Sequence, residues 1–381
     1  MVRAVKAAGD EGDEAFGAPD RRLGGSTLSA DARKGRGATA NPCGRYEPAR
    51  REAFDDGWVS DDAAQRLRTE DRPEHARTIL TRNTSPDLPF DRSINPYRGC
   101  EHGCVYCFAR PNHAYVGLSP GLDFETKLFH KAHAAELLER ELSAKGYLPQ
   151  TIALGTATDP YQPIERDHGI TRAVLGVLAR FRHPVGIVTK SNLVARDIDI
   201  LAPMAELGLV KVAMSVTTLD PVLARRMEPR APHPDRRLEA IRQLSRAGIP
   251  VMVMMAPVIP SLNDHEIEAV LERARECGAV EARHVLLRLP LELDDLVNDW
   301  FAEHYPGRRR HVMSLVREAR GGKAYDATFG RRMTGSGAYA DLIGQRMRLA
   351  KQRFGYADAR ISLRTDLFDP TAASGAQLRL L

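Results

Sequence analysis

The stretch YRGCEHGCVYCFAR, residues 97–110, holds three of the five cysteines in a chain of 381 residues. Cys100, Cys104 and Cys107 follow the spacing C-x3-C-x2-C, directly after a short segment that predicts a β-strand. Thiolates this close in sequence can share one metal centre, because the loop between them needs to curl only once. The spacing therefore predicts a metal centre bound by three cysteines of one loop.

The number three favours an iron–sulfur cluster over zinc. Structural zinc sites are closed by four ligands, and His102 is predicted to point away from so tight a loop. Cys43 and Cys277 are distant and isolated, and Cys277 follows an amphipathic segment, which predicts a packed thiol. A cluster held by three cysteines leaves one iron open, as a catalytic metal centre requires. Zinc is the alternative.

The composition is typical of a globular protein in a reducing compartment. No stretch approaches the roughly 20 apolar residues that span a membrane, and the longest apolar run, residues 249–260, is bounded by prolines. The first residues lack the apolar core of a signal peptide. Five cysteines with this spacing do not form a disulfide framework. We therefore expect a cytoplasmic protein that does not contact a membrane.

The net charge of +5 is unevenly distributed along the chain. Residues 305–381 contain 15 Lys and Arg against 6 Asp and Glu, a balance of +9, which leaves −4 for the first 304 residues. A basic segment can attract a polyanion such as nucleic acid. The alternative is an Arg-rich face that only contacts solvent.

Short β-branched segments alternate with amphipathic helices from about residue 90. The predicted strands are residues 93–95, 151–156, 185–190, 211–217, 251–259 and 284–290. Strands separated by helices at this spacing predict a parallel sheet with helical crossovers. Six units favour an α/β fold with a partial (β/α)6 TIM barrel over a closed barrel of eight, with the chemistry at the carboxyl ends of the strands.

Three regions follow from this pattern. Residues 1–85 are predicted to be an N-terminal extension, largely disordered or draped over the fold, although KGRGATANPCGRYEP (34–48) could fold over a binding site. Residues 86–295 are the predicted barrel. Residues 296–381 are a basic, mainly helical C-terminal extension, with one helix at 338–355 that is predicted to pack against the barrel. That helix has basic residues on its polar side: Arg346, Arg348, Lys351 and Arg353.

The cysteine spacing, the tyrosine before the last cysteine and the order of elements resemble the radical SAM superfamily over residues 90–295. The resemblance implies a [4Fe–4S] cluster on Cys100, Cys104 and Cys107, with its open iron chelated by S-adenosylmethionine (SAM). It also implies that SAM is cleaved reductively to a 5′-deoxyadenosyl radical. Such chemistry requires an electron donor such as a flavodoxin or a ferredoxin.

The resemblance further implies SAM contacts at successive strand ends. Tyr106 would pack near the adenine, and Val258 would make apolar contact with it. The polar candidates for the amino acid and ribose of SAM are Thr156, Thr158, Asp159, Lys190 and Ser215. An ordinary Asp-Pro turn and an ordinary strand end are the alternatives for Asp159 and Val258.

Longer stretches resemble one branch of this superfamily more specifically. TDPYQPIE (158–165), MSVTTLD (214–220) and residues 226–251 resemble the spore photoproduct lyase-like, or DNA repair photolyase-like, branch, and the KGRGA segment resembles a bacterial subgroup of it. Spore photoproduct lyase has a hydrogen-donating cysteine where this chain has Ala157. Repair of the spore photoproduct is therefore not expected.

Three functions are consistent with these patterns. The first is a radical SAM enzyme acting on nucleic acid, and the second is one acting on a protein or small molecule. The third is a non-catalytic iron–sulfur or zinc module, which the absence of a nearby fourth ligand disfavours. Arg230, Arg236 and Arg237 could meet phosphates, but their amphipathic context predicts a solvated face.

Overall fold

A computed structural model of the chain describes residues 33–46, 67–357 and 360–373. In chain order, the strands are β1 (Glu70–Pro73), β2 (Leu80–Arg82), β3 (Arg92–Ile94), β4 (Tyr97–Arg98), β5 (Lys127–His130), β6 (Ile152–Leu154), β7 (Val185–Thr189), β8 (Val210–Ser215), β9 (Val251–Val258) and β10 (Glu281–Leu286). They form a sheet of seven strands and a sheet of three.

Helices connect and flank these strands. The α-helices are α1 (Asp123–Thr126), α2 (Ala134–Leu142), α3 (Glu165–His168), α4 (Ile170–Arg180), α5 (Ile198–Glu206), α6 (Pro221–Met227), α7 (Pro234–Arg246), α8 (Ile267–Glu276), α9 (Leu293–His304), α10 (Pro306–Glu318) and α11 (Ala338–Arg353). Short 3-10 helices span Arg110–Val116, Asn192–Asp197 and Asp264–Glu266.

The seven-stranded sheet has the order β10-β9-β8-β7-β6-β3-β2. Its first six strands are parallel, and β2 pairs antiparallel with β3 at the edge. All six predicted strands are present and are the six parallel ones. Because β10 and β2 are the two edges of this sheet, the barrel is open, which confirms the predicted partial barrel.

Helices cover one face of the parallel strands. Val210, Val212 and Met214 alternate along β8 on one face and are fully buried, and so are Leu201 of α5 and Leu244 of α7, two helices that contact β8. Burying a large aliphatic side chain contributes about 1.5–3 kcal/mol, so this apolar set stabilises the packing of the helices on the sheet. The crossover helices therefore hold the sheet and bring all six carboxyl strand ends to one side.

The region before residue 86 contributes strands that the sequence did not predict. In the small sheet, of order β1-β5-β4, β1 pairs in parallel with β5, while β2 extends the main sheet. Residues 67–85 thus contain two strands that pair within the fold. These strands have three or four residues and mostly exposed side chains, so they show no apolar period. Residues 1–32 and 47–66 lie outside the described ranges.

Helices α10 and α11 lie in the C-terminal part of the chain. Helix α11 confirms the helix expected over 338–355 and packs against α8 and β10. Its buried residues are Ala340, Ile343, Met347 and Ala350, whereas Leu342 is 50% exposed. Arg346 donates hydrogen bonds of 2.9 and 2.5 Å to the carboxylate of Glu268 in α8. The boundary at residue 295 stays a prediction.

In the described ranges, no helix combines the length and the apolar character needed to cross a bilayer.

Candidate active site

One cavity opens at the carboxyl ends of the parallel strands, and its empty volume is about 950 Å³. Nine of the ten predicted site residues line it: Cys100, Cys104, Cys107, Tyr106, Thr156, Thr158, Asp159, Lys190 and Ser215. Residues from five different strand ends and from the cysteine loop therefore face one space.

The three cysteines face this cavity from the loop after β4. Cys100 and Cys104 are buried, and Cys107 is partly exposed. Burial is the main cause that raises the pKa of all three thiols, and the carboxylates of Asp159 and Glu228 add to the effect at Cys100 and Cys104. Thiols in such surroundings stay neutral unless a cation binds them, because a metal stabilises the thiolate.

The spacing of the sulfur atoms tests the choice between one ion and a cluster. Across the part of the chain that the structure describes, a single group of three or more candidate ligands has all its ligand atoms within 4.8 Å of one another, and it contains no cysteine. Sulfur ligands of one tetrahedral zinc ion, with bonds of about 2.3 Å, would be about 3.8 Å apart. Among the described residues, the three cysteine sulfurs do not form a group this compact, and three thiols on one loop fit an iron–sulfur cluster.

A buried arginine holds the cysteine loop from behind. Arg110 donates hydrogen bonds to the carbonyl oxygens of Cys104 (2.8 Å) and Gly103 (3.1 Å) and to the carboxylate of Glu125 (2.5 Å). Both members of this ion pair are fully buried. Gly103 has φ +67, and a Cβ at this position would lie 2.7 Å from Glu125 Oε2. The loop conformation thus depends on charges that the sequence analysis did not select.

The KGRGA segment packs against the same carboxylate. The backbone N–H groups of Gly37 and Ala38 donate to the two oxygens of Glu125 at 2.9 and 2.8 Å. A Cβ at Gly37 would lie only 1.8 Å from the carbonyl oxygen of Gly103. This segment therefore contacts the back of the cysteine loop, whereas the cavity lies on the other side of the cysteines.

The loop after β6 is tied to the cysteine loop by side-chain hydrogen bonds. Gln162 donates to the carbonyl of Gly99 (3.2 Å) and accepts from the N–H of Glu101 (2.8 Å), and it is fully buried. Thr158 donates to the carbonyl of Tyr97 (3.3 Å). The loop after β6 and the cysteine loop are therefore one connected unit.

Asp159 lines the cavity, but its carboxylate already has protein partners. It accepts from Thr189 Oγ1 (2.6 Å), from the N–H of Lys190 (2.7 Å) and from the N–H of Tyr161 (2.9 Å). His102 Nδ1 lies 3.3 Å away. Burial alone would raise the pKa of Asp159, but His102 and these hydrogen bonds outweigh it and lower the pKa. The carboxylate is ionised at neutral pH and fixes the turn between two strand ends.

Lys190 and Ser215 meet at the cavity wall. Lys190 Nζ donates to Ser215 Oγ at 2.8 Å and lies 3.8 Å from a carboxylate oxygen of Glu228. Its ammonium group is also 5.6 Å from the ring centroid of Tyr106. Its side chain is only 15% exposed. The geometry presents one cation and one hydroxyl together, at adjacent strand ends.

Glu228 and Arg237 form a buried pair beneath this wall. Arg237 donates to Glu228, which also accepts from the Tyr106 hydroxyl and, at 2.7 Å, from Thr217 Oγ1. Burial raises the pKa of Glu228, but Arg237 and Lys190 overcome this and hold the pKa at about 2. The predicted solvated face is therefore wrong for Arg237, because it neutralises a buried carboxylate; Arg236 is exposed as predicted.

Val258 does not line the cavity. Its side chain is fully buried in the main core, and Ala256 and Pro257 line the wall at this strand end. Apolar contact with a cofactor at this point would come from Pro257. The sequence predicted this strand, but it did not indicate the residue at which the chain leaves the sheet.

Arg288 and Phe108 line the cavity at the end of the sixth parallel strand. The guanidinium carbon lies 4.4 Å from the ring centroid of Phe108, and Phe108 is 48% exposed. Burial lowers the pKa of Arg288, and no carboxylate of the described residues forms an ion pair with it. This half-buried cation was not selected from the sequence, because nothing local distinguishes it from other arginines.

Residues 94–274 match the family model described as the radical SAM superfamily. An uncharacterized protein of Mycobacterium tuberculosis (strain ATCC 25618 / H37Rv) is 38% identical over 221 residues, which cover 58% of this chain and 65% of that protein. An uncharacterized protein of Methanocaldococcus jannaschii is 28% identical over 173 residues, or 45% of this chain and 62% of that protein. The matched regions span less than two thirds of either relative.

The fold is also similar to that of a solved structure. Spore photoproduct lyase complexed with dinucleoside spore photoproduct matches with a TM-score of 0.53 and 15% sequence identity, over 74% of this chain and 79% of that chain. At this identity the likeness concerns the fold alone. Residues 94–274 therefore match the radical SAM superfamily, and the fold of the chain is similar to that of spore photoproduct lyase.

Proposed function

We propose that this protein is a radical SAM enzyme that uses a [4Fe–4S] cluster on Cys100, Cys104 and Cys107 to cleave SAM reductively. One observation carries the proposal: three thiols from a single loop face the same cavity as the polar strand ends. When bound, the cluster and SAM supply the electron and the 5′-deoxyadenosyl radical that starts the reaction on a substrate.

The residues of the chain have separate roles in this proposal. Lys190 and Ser215 bind the carboxylate of SAM, since an ammonium and a hydroxyl 2.8 Å apart suit two carboxylate oxygens. Thr156 and Thr158 offer hydroxyl oxygens near the amino group of SAM. Asp159 is a positioning residue, because its carboxylate is occupied by backbone and hydroxyl donors. It keeps the two strand ends in register and contributes negative charge.

The apolar residues shape the remaining cavity. Tyr106 forms the wall next to the last cysteine and is fixed by Glu228. Pro257 supplies an apolar surface in the position proposed for Val258. Excluding water from such a site protects a reactive radical from quenching by solvent.

For the substrate we propose an anionic molecule, with nucleic acid as the leading class. Arg288 supports this, because it is a cavity cation that has no carboxylate partner among the described residues and that stacks on an exposed aromatic ring. Arginine beside an aromatic ring is suited to phosphates and bases. The fold is shared with a lyase that binds a dinucleoside in its solved structure. Ala157 lines the cavity at the position of the hydrogen-donating cysteine of spore photoproduct lyase. A product radical formed here would therefore need a different hydrogen donor.

A protein or small anionic molecule is the second candidate substrate. The basic C-terminal helix supports nucleic acid less than its charge suggests, because Arg346 is paired with Glu268. An electron donor such as a flavodoxin or a ferredoxin is part of either proposal. A non-catalytic iron–sulfur module would leave Lys190, Ser215 and Arg288 in the cavity without a role.

The test is anaerobic reconstitution with iron, sulfide, SAM and a chemical reductant, followed by measurement of 5′-deoxyadenosine. We expect formation of 5′-deoxyadenosine that requires both reductant and cluster, and none from the Cys104→Ala variant. A protein that binds a [4Fe–4S] cluster but neither binds SAM nor forms 5′-deoxyadenosine would be the non-catalytic module. Zinc retained through anaerobic purification, with no cluster formed on reconstitution, would favour the zinc module.

A further inference from the structure

A second group of metal-ligating side chains lies outside the cavity. Asp71 of β1, His130 of β5 and His168 at the end of α3 bring their ligand atoms within 4.8 Å of one another. His130 Nδ1 is 2.9 Å from Asp71 Oδ1, and His168 Nε2 contacts Asp71 Oδ2. We propose that these three residues bind one divalent first-row transition ion, at a site separate from the cysteines.

The donor set suits such an ion. Two imidazoles and one carboxylate are ligands that zinc, iron(II), cobalt(II) and nickel(II) all accept. Metal bonds of about 2.0–2.1 Å place neighbouring ligand atoms about 2.9–3.4 Å apart. The observed 2.9 Å between His130 and Asp71 is within that range. An ion can therefore take the place of the imidazole protons that face the carboxylate, with little movement of the side chains.

The imidazole rings are arranged so that both can bind at once. Their centroids are 4.1 Å apart with an interplanar angle of 26°, and each ring faces a different oxygen of the Asp71 carboxylate. Two protonated imidazoles stacked this closely would repel each other, and a shared cation removes that conflict. The side chains of Asp71, His130 and His168 are 22%, 14% and 28% exposed, so an ion can enter from solvent.

Few other charged groups compete for an ion here. The neighbouring Arg72 is paired with Glu70, and Glu74 is paired with Arg98, each within the same small sheet. The three ligands carry a net charge of −1 with neutral imidazoles, which favours a divalent cation. Among the described residues, these three form the one group of at least three His, Cys, Asp or Glu side chains whose ligand atoms lie this close together. None of the three lines the cavity.

The position of the site indicates a structural role. Strand β5 pairs with β4 so that His130 lies opposite Tyr97, three residues before Cys100. His168 belongs to the segment that follows the second parallel strand, and its ring is 6.5 Å from that of Tyr97. A bound ion would therefore connect the small sheet to the barrel at the base of the cysteine loop. This inference does not depend on SAM chemistry.

The experiment is equilibrium dialysis of the cluster-loaded, full-length protein against zinc, followed by metal analysis. We expect one zinc ion per chain beyond the iron of the cluster, and a higher Tm in the presence of zinc. His168→Gln should weaken zinc binding by about 100-fold or more, because it removes one of three ligands. A glutamine can still donate to Asp71, so this variant should remain folded. His133→Ala, at an exposed histidine on the same surface, is the matched control and should bind zinc like the wild type.

Three results would overturn the inference. The first is that the protein binds no zinc at submillimolar concentrations. The second is that His168→Gln and Asp71→Asn both leave zinc binding unchanged. The third is that zinc binding disappears only when the cluster cysteines are replaced. Cobalt(II) in place of zinc identifies this third result by absorption spectroscopy. Cobalt bound to imidazole and carboxylate lacks the intense charge-transfer absorption of cobalt bound to thiolates.

Discussion

Lys190 is the side chain on which the SAM proposal depends most directly. Its ammonium group faces the cavity between Ser215 and Glu228 and is mostly withdrawn from solvent. Replacing it leaves the buried carboxylate of Glu228 still paired with Arg237, so the wall should remain folded. Lysine is therefore placed to bind a ligand carboxylate as well as to balance charge.

We predict that Lys190→Ala keeps the cluster but weakens SAM binding. Losing one charge-assisted contact costs about 1.5–3 kcal/mol, which is roughly a tenfold to hundredfold loss of affinity. Titration calorimetry of SAM under anaerobic conditions measures it. Lys145→Ala is the control, because Lys145 is an exposed lysine outside the cavity. Equal SAM affinity in both variants would place the SAM carboxylate elsewhere.

Each cluster cysteine should be individually necessary. Replacing Cys100, Cys104 or Cys107 by Ala exposes a second iron and should abolish stable cluster binding. Iron and sulfide analysis after anaerobic reconstitution, together with the visible absorption of the cluster, gives the readout. Cys277→Ala serves as the control, since this buried thiol lies at the end of α8 and outside the cavity. Loss of the cluster in that control would make the ligand assignment wrong.

Glu228 gives the protein a predictable response to acid. Its pKa of about 2 lies below the ordinary value of 4.5, so its ionised form stabilises the folded state. This contribution is complete above pH 4.5 and is lost as the pH falls from 4.5 towards 2. Glu228→Gln should destabilise the protein at neutral pH by about 3–5 kcal/mol, because Arg237 is left buried without its partner.

Chemical denaturation at several pH values tests this prediction. The loss of stability between pH 4.5 and 2 should be smaller in Glu228→Gln than in the wild type. Glu239→Gln is the control, since the Glu239 carboxylate makes only exposed contacts, with Arg242 and Gln243 on the same helix α7. The same acid dependence in wild type and Glu228→Gln would mean that other carboxylates cause it.

At the scale of elements, the cysteine loop is held by a segment far away in sequence. Residues 33–46 pack on its outer side, and Glu125 of α1 joins the two through hydrogen bonds to Gly37, Ala38 and Arg110. A buried carboxylate that accepts three hydrogen bonds is costly to leave unpaired. The KGRGA segment is therefore part of the support of the cysteine loop.

Gly37→Ala should detach this segment. The new methyl group would overlap the carbonyl oxygen of Gly103, which is backbone and cannot rotate away. We expect faster loss of the cluster in air and new protease cleavage near residue 37, both measurable by absorbance and mass spectrometry. Gly176→Ala, in α4 with open space around it, should be neutral or slightly stabilising. A Gly37→Ala protein that keeps its cluster as long as wild type would show that the segment does not support the loop.

Across the whole molecule, part of the positive charge is used inside the fold. Arg320 is buried and donates to four carbonyl oxygens, and Arg346 is bound to Glu268. The +9 balance of residues 305–381 therefore overstates the charge that is free to bind a polyanion. Arg288, at the cavity mouth, is the more specific candidate.

If the substrate is nucleic acid, binding should weaken steeply with salt, because bound Lys and Arg release condensed counterions. Arg288→Gln should lower affinity for single-stranded DNA or RNA by about tenfold, the loss expected for one charged contact. Formation of 5′-deoxyadenosine without substrate should persist. Arg236→Gln, at an exposed arginine, is the control. No salt-dependent binding by the wild type at low ionic strength would make a protein or small molecule the leading substrate.

The sequence by itself determined the cysteine loop and the parallel sheet. Cysteine spacing is a local pattern, and the parallel strands are short apolar segments rich in β-branched residues, so the cysteine loop and the six strands were recognised without the structure. Helix α11 was recognised for the same reason, because its apolar period lies within one segment. The position of the cavity was predicted as well, because the carboxyl ends of parallel strands lie on the same side of the sheet.

The tertiary structure alone decided how that site is supported. Glu125 with Arg110, and Glu228 with Arg237, are buried pairs, and sequence patterns do not distinguish a buried charge from a solvated one. The edge strands β1 and β2 are too short and exposed to show a period. Asp71, His130 and His168 come from three elements spread over 97 positions, and only folding brings their ligand atoms together.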